Sequence, residues 1–152
     1  MFKIEFVCAN EKDTEKLGEK LAGLAVQGDV FALFGTLGMG KSVLSRAFIQ
    51  KLTNASEVPS PTFTLVQTYE APDFDIYHFD LYRIKNPEEI FELAMEEALY
   101  QGVSLIEWPE KMGAYLPRDI FKIEITPFGS GRKIAIETAD AKKQQRLAAL
   151  DY

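Results

Sequence analysis

The pattern of apolar and polar residues predicts alternating strands and helices along the first third of this chain. Residues 3–8, KIEFVC, alternate between apolar and polar side chains, which is typical of a strand with one buried face. Residues 29–34, DVFALF, are a short apolar run, as expected of a strand that is buried on both faces. Between them, residues 10–25 carry leucines at helical spacing with Asn10 as the N-cap, and residues 41–52 predict a second helix.

The middle and the end of the chain predict two hairpins around a further helix and strand. Residues 62–69 and 74–82 are rich in β-branched and aromatic residues, and the EAPD turn between them favours an antiparallel pair. A helix is predicted for residues 86–99, NPEEIFELAMEEAL, and a buried strand for residues 103–108, VSLIEW. Residues 121–137 predict the second antiparallel hairpin, because FKIEIT and RKIAIE are joined through PFGSG.

Composition and charge narrow the class of protein. The 152 residues suit one domain, 1–152, in which residues 140–152 are a candidate C-terminal helical tail. The one cysteine, Cys8, cannot form an intramolecular disulfide, the N-terminus lacks a signal-peptide pattern, and no apolar run approaches the roughly 18 residues that span a bilayer. We therefore expect a cytoplasmic protein with no membrane partner. The net charge of −6 disfavours broad electrostatic binding to nucleic acid, which could still be reached through a partner protein.

A glycine-rich segment lies between the second predicted strand and the second predicted helix. Gly35, Gly40, Lys41 and Ser42 match the P-loop pattern G-x-x-x-x-G-K-[ST] in the strand–loop–helix context that the motif requires. Glycines let successive backbone N–H groups turn towards phosphates, and the helix N-terminus adds partial positive charge. In this pattern the lysine reaches the β- and γ-phosphates and the serine hydroxyl ligates Mg²⁺. The predicted nucleotide-binding loop comprises Gly35, Thr36, Leu37, Gly38, Met39, Gly40, Lys41, Ser42 and Val43.

Together with the P-loop, the predicted elements define a fold class. They predict an α/β fold, a three-layer P-loop NTPase-like domain whose mixed parallel and antiparallel sheet is flanked by helices. In such a domain the strand ends and the glycine loop form one nucleotide site.

Three further residues are candidates for the chemistry beside the phosphates. Glu107 ends the apolar run SLIE, where P-loop proteins hold Mg²⁺ through an acid. Asp80 lies within an aromatic-rich strand, where an acid is costly to bury without a partner. Thr62 is a candidate sensor of the γ-phosphate or its Mg²⁺. His78, the only histidine, is interpreted as a half-buried strand residue rather than a base.

Five segments give the chain a family resemblance. GTLGMGKS, PSPTFTLVQTYE, IYHFDLYRI, PEEIFELAMEEAL and LIEWPEK occur in the order and approximate spacing of the TsaE (YjeE) family of P-loop ATPases, which the chain resembles from Asn10 to Arg132. The pair SPTFTLV and YHFDLYR is more distinctive than the P-loop, because general nucleotide binding does not require it.

The resemblance implies a set of site residues and a function. By resemblance the catalytic or switching residues are Lys41, Thr62, Asp80 and Glu107, the metal ligands are Ser42 and Glu107, Glu11 and Arg132 border the adenine end, and Trp108 lies beside the site. The implied cofactors are ATP and Mg²⁺. The implied function is ATP hydrolysis, slow in isolation, that is required for threonylcarbamoylation of adenosine 37 in tRNAs reading codons that begin with A. The implied partners are TsaB and TsaD, with tRNA reached indirectly.

Two functions of other classes stay open from the sequence. A small P-loop metabolite kinase would suit the length, although the arginines are scattered without the cluster expected of a lid. A module that binds nucleotide and docks to a partner without hydrolysis is the second alternative, and the combination of Lys41, Ser42, Asp80 and Glu107 argues against it. The preference for ATP over GTP rests on the resemblance alone.

Overall fold

The computed structural model describes residues 2–35 and 40–150, and its regular elements follow the predicted order closely. The strands are β1 (Phe2–Cys8), β2 (Val30–Phe34), β3 (Val66–Glu70), β4 (Asp75–Asp80), β5 (Val103–Glu107), β6 (Phe121–Phe128) and β7 (Gly131–Thr138). The α-helices are α1 (Glu11–Leu24), α2 (Lys41–Leu52), α3 (Met95–Gln101) and α4 (Ala141–Ala148), and two 3₁₀ segments span Pro87–Leu93 and Pro109–Tyr115. Within these described ranges no helix combines the length and the apolar character of a membrane span.

The described strands form one mixed sheet in the order β1-β7-β6-β2-β5-β4-β3. Strand β2 is parallel to both β5 and β6, and β4 is parallel to β5. The pairs β1/β7, β6/β7 and β3/β4 are antiparallel, so both predicted hairpins are confirmed. The mixed parallel and antiparallel sheet predicted from the sequence is therefore present.

Helices cover the sheet on both faces because its central strand is apolar on both faces. Phe31 and Leu33 of β2 pack into a core with residues of α1, α2 and α4. Val30 and Ala32, which alternate with them, pack into a second core with α3 and the two 3₁₀ segments. The result is the predicted three-layer α/β arrangement.

The prediction of one continuous helix over residues 86–99 was wrong. A 3₁₀ segment ends at Leu93, Ala94 takes a left-handed conformation with φ 55°, and α3 then begins. Ile90 and Met95 are both buried in the same core. Residues five apart lie about 140° apart around a continuous α-helix, so a break between them brings both side chains to the sheet.

The predicted hairpin over residues 62–82 begins later than expected. Residues 62–64 lie in a turn, Leu65 in a bend, and β3 starts at Val66. Leu65 has φ 71°, a left-handed conformation that strand residues do not adopt. The predicted helical tail is present as α4, and Asp140 caps it by accepting a 3.0 Å hydrogen bond from the Lys143 backbone N–H.

Candidate functional site

A cavity of about 620 Å³ lies where the carboxyl ends of the parallel strands β2, β4 and β5 meet the start of α2. This is the edge at which open α/β sheets bind ligands. Its described lining residues are Cys8, Ala9, Asn10, Glu11, Thr14, Gly40, Lys41, Ser42, Val43, Ser60, Thr62, Asp80, Glu107, Trp108, Ser130, Gly131 and Arg132. Most of the site residues that the sequence predicted therefore line this one cavity.

A buried lysine, Lys41, directly follows the glycine-rich segment and lines this cavity. Gly40 has φ 95° and occupies the N-cap of α2, a left-handed position that glycine adopts without strain. Lys41 is only 4% exposed, and its Nζ donates a 2.7 Å hydrogen bond to the backbone oxygen of Gly35. The same Nζ lies 3.8 Å from the centroid of the Trp108 ring. Thr36, Leu37, Gly38 and Met39, also predicted to bind phosphates, lie outside the described residues.

Opposing electrostatic effects act on the Lys41 ammonium. Burial lowers the pKa of Lys41, while the nearby charges of Glu107, Glu110 and Asp80 act in the opposite direction. Along the described part of the chain, none of these carboxylates comes within ion-pair distance of Lys41. The ammonium thus lies in the cavity with none of these carboxylates in direct contact, a suitable environment for phosphate oxygens.

Sheet register places Asp80 and Glu107 side by side. These residues end β4 and β5 and are Cα partners in the parallel ladder. Asp80 is fixed from two directions, because Oδ2 accepts a 2.9 Å hydrogen bond from the Thr62 hydroxyl and Oδ1 accepts a 3.0 Å bond from the Tyr82 backbone N–H. The predicted set of Thr62, Asp80 and Glu107 is therefore brought together at one end of the cavity.

Glu107 has a partner that the sequence reasoning missed. Oε2 of Glu107 lies 2.6 Å from Nε2 of His78, and both side chains are buried. His78 is 2% exposed, so its interpretation as a half-buried strand residue was wrong. The spacing shows that His78 and Asp80, two residues apart on a strand, share a face, but it does not show that the strand of Glu107 lies beside them.

The opposite wall of the cavity comes from β1, α1 and β7. Glu11 and Arg132, the residues predicted to border the adenine end, both line it, as does Ser130. Cys8 is paired with Arg132 across the β1/β7 ladder, which brings residues from the two ends of the chain into contact. Ser60 was also missed as a cavity residue, and its position next to the distinctive PTFT segment was the available signal.

The donor set of the cavity suits a hard divalent cation. Ser42, Thr62, Asp80 and Glu107 offer hydroxyl and carboxylate oxygens, the ligands that Mg²⁺ takes in nucleotide sites, where phosphates and water complete its coordination. Among residues 2–35 and 40–150, no cluster of three His, Cys, Asp or Glu side chains forms a metal site by itself. The predicted assignment of Ser42 and Glu107 as ligands is compatible with this geometry and stays a prediction.

The family model and the curated relatives that match this chain all point to one protein family. The family described as "Threonylcarbamoyl adenosine biosynthesis protein TsaE" matches residues 8–134. A protein of Rickettsia conorii named tRNA threonylcarbamoyladenosine biosynthesis protein TsaE is 37% identical over 145 residues, which cover 94% of this chain and 83% of that protein. A Bacillus subtilis protein of the same name is 30% identical over 97% of this chain and 92% of its own length.

A solved structure also matches the fold. The crystal structure of YdiB from Bacillus subtilis superposes with a TM-score of 0.80 and 25% sequence identity. The match covers 98% of this chain and 94% of that one. The similarity therefore extends over the whole sheet and its helices.

Proposed function

Since this chain belongs to the TsaE family of tRNA threonylcarbamoyladenosine biosynthesis proteins, we propose that it is the ATP-hydrolysing subunit of the modification machinery. On this proposal it binds ATP with Mg²⁺ and is required for threonylcarbamoylation of adenosine 37 in tRNAs that read codons beginning with A. It acts with TsaB- and TsaD-type proteins and reaches tRNA through them.

The observation that carries the proposal is the buried Lys41 in a cavity shared with Asp80 and Glu107. A lysine at the start of a helix, behind a glycine loop, is the arrangement that binds the β- and γ-phosphates of a nucleotide. The two carboxylates at adjacent strand ends line the same cavity as Lys41. A cavity of about 620 Å³ is of the size that small-molecule sites have.

Each side chain has a defined task in the proposed hydrolysis. Lys41 exchanges its bond with the Gly35 oxygen for bonds with phosphate oxygens, and the N-terminus of α2 adds its partial positive charge. Ser42 and Glu107 would hold Mg²⁺, which neutralises charge that develops on the phosphates. Asp80, oriented by Thr62 and the Tyr82 backbone, accepts a proton from the attacking water as the water oxygen bonds to the γ-phosphorus and the bond from that phosphorus to the bridging oxygen breaks, which releases ADP.

ATP hydrolysis is distinct from the modification of tRNA in this proposal. No tRNA or carbamoyl chemistry is needed at the cavity, and the γ-phosphate instead controls the segment around Thr62. Hydrolysis would release that segment and reset the assembly with the partner proteins. Turnover of the isolated chain is accordingly expected to be slow.

The test is phosphate release from ATP and Mg²⁺, measured with and without purified TsaB- and TsaD-type proteins. Slow release that the partners alter strongly, and that Asp80→Ala and removal of Mg²⁺ with EDTA both abolish, is the expected result. A phosphorylated metabolite in place of free phosphate would favour a kinase. Nucleotide binding without release under any condition would favour a docking module.

A further inference from the structure

We propose that His78 is a positioning residue for Glu107, holding one carboxylate oxygen inside the sheet so that the other is available to Mg²⁺. The inference rests on the proposed function, because it concerns the Mg²⁺ of a bound nucleotide. It goes beyond that function in assigning a role to the only histidine of the chain.

The sheet register brings the two side chains together. In the parallel ladder, His78 of β4 is opposite Leu105 and Asp80 is opposite Glu107 of β5. His78 and Asp80 share a face because strand side chains alternate, so His78 is the diagonal neighbour of Glu107 on that face. The distance of 2.6 Å between His78 Nε2 and Glu107 Oε2 is that of a short, charge-assisted hydrogen bond.

The direction of this bond follows from its chemistry. An ionised carboxylate only accepts hydrogen bonds, so Nε2 of His78 carries the proton and donates it. Nδ1 of His78 is buried without a hydrogen-bond partner among the described residues. A leucine or phenylalanine would fill the same space without burying an unpaired nitrogen, so packing alone does not account for a histidine here.

The bond to His78 also keeps Glu107 apart from Lys41. The charge of Glu107 acts on Lys41, yet in the described part of the chain the Lys41 ammonium bonds to the Gly35 oxygen and the Glu107 carboxylate bonds only to His78. A Glu107 carboxylate without the imidazole would be free to turn towards the ammonium. Such a pair would remove the phosphate-binding cation and the metal ligand together.

The first test uses the single histidine as a spectroscopic probe. In the full chain labelled with ¹⁵N-histidine, we expect the NMR signals to show a proton on Nε2 of His78. A non-hydrolysable ATP analogue with Mg²⁺ should shift these signals, and the analogue with EDTA should leave them nearly in place. An Nε2 without a proton, or signals that Mg²⁺ with the analogue does not move, would overturn the inference.

The second test compares variants by the Mg²⁺ concentration needed for nucleotide binding. His78→Leu removes the donor, whereas His78→Gln keeps an N–H near the position of Nε2. Loss of a group that orients a metal ligand typically weakens metal affinity about 10- to 100-fold, so His78→Leu should raise the Mg²⁺ requirement by about this factor. His78→Gln should restore most of the affinity, because its amide N–H can hold Glu107 in place of the imidazole.

Glu107→Ala separates failure of this inference from failure of the proposed function. If Glu107→Ala raises the Mg²⁺ requirement and both His78 variants match the wild type, only the role of His78 is overturned. If wild-type nucleotide binding does not depend on Mg²⁺, the proposed function fails and the inference fails with it. Should His78→Leu not fold, the NMR measurement on the wild-type chain still decides.

Discussion

The hydroxyl of Thr62 donates a 2.9 Å hydrogen bond to Oδ2 of Asp80 across 18 residues of sequence. Oγ of Ser60 lies 2.7 Å from the same Thr62 oxygen. Because the one hydroxyl proton of Thr62 goes to Asp80, Ser60 is the donor in this second bond. The chain of bonds ties the segment before β3 to the acid at the end of β4.

Replacing Thr62 by valine is expected to slow ATP turnover. Valine keeps the shape of the side chain but cannot donate to Asp80, and a hydrogen bond to a charged group contributes about 1.5–3 kcal/mol. The lower value corresponds to about a tenfold reduction in rate, measured as phosphate release. Thr62→Ser is the matched control, since it keeps the hydroxyl and should retain most of the activity. Equal turnover in both variants and the wild type would contradict the assigned role of this bond.

The local pattern of apolar and polar residues predicted the order and type of most helices and strands. It did not predict where a helix is interrupted. The apolar run that became β2 and the leucine spacing of α1 were readable because periodicity reports which faces are buried. The left-handed conformation of Ala94 was not readable, because nothing local disfavours a helix there. It arises from tertiary packing, in which Ile90 and Met95 both reach one core.

The site residues likewise divide into those that local sequence predicts and those that depend on tertiary structure. Lys41 and Ser42 were predicted from a contiguous motif, and Glu107 from its position at a strand end. The contact of His78 with Glu107 depends on β4 lying parallel to β5, a neighbour relation that the sequence does not state. Residues that a local motif or a strand end marks were therefore predicted, whereas the contact that requires the strand order of the sheet was missed.

Fluorescence of Trp108 should report nucleotide binding directly. It is the only tryptophan of the chain, and the Lys41 ammonium lies 3.8 Å from its ring centroid, within cation–π range. If ATP draws Lys41 towards its phosphates, the emission should change saturably with ATP concentration. Lys41→Met should lose this response. A wild-type emission that stays constant at ATP concentrations supporting turnover would contradict the expected movement of Lys41.

Truncation of Arg146 is expected to destabilise the fold without touching the cavity. Its guanidinium binds Asp29 through its two terminal nitrogens, at 2.7 and 2.8 Å, and also donates to the Leu24 backbone oxygen at 2.9 Å. The hydrogen bonds with Asp29 raise the pKa of Arg146, so the guanidinium keeps its charge at neutral pH. Arg146→Ala leaves Asp29 buried without its cation, and we expect a loss of about 3 kcal/mol in the free energy of unfolding.

Arg146→Lys provides the control for that measurement by urea unfolding. A lysine keeps the positive charge but cannot form two parallel bonds with the carboxylate, so its loss should be smaller than that of alanine. Nucleotide binding by the folded fraction should be unchanged in both. An alanine variant as stable as the wild type would show that this ion pair does not secure α4 to the sheet.

Two glycines of α1 should respond in opposite directions to alanine. A Cβ on Gly18 would lie 2.7 Å from the Leu44 backbone oxygen and 3.1 Å from the Ala47 Cβ, so Gly18→Ala must force α1 and α2 apart. Overpacking of this kind costs about 1–3 kcal/mol. A Cβ on Gly23 meets no atom within 4 Å, and alanine in a helix is favoured over glycine by about 0.5–1 kcal/mol. Thermal denaturation should therefore give a lower melting temperature for Gly18→Ala and a higher one for Gly23→Ala. A shift of the same sign in both variants would contradict the close approach of the two helices at Gly18.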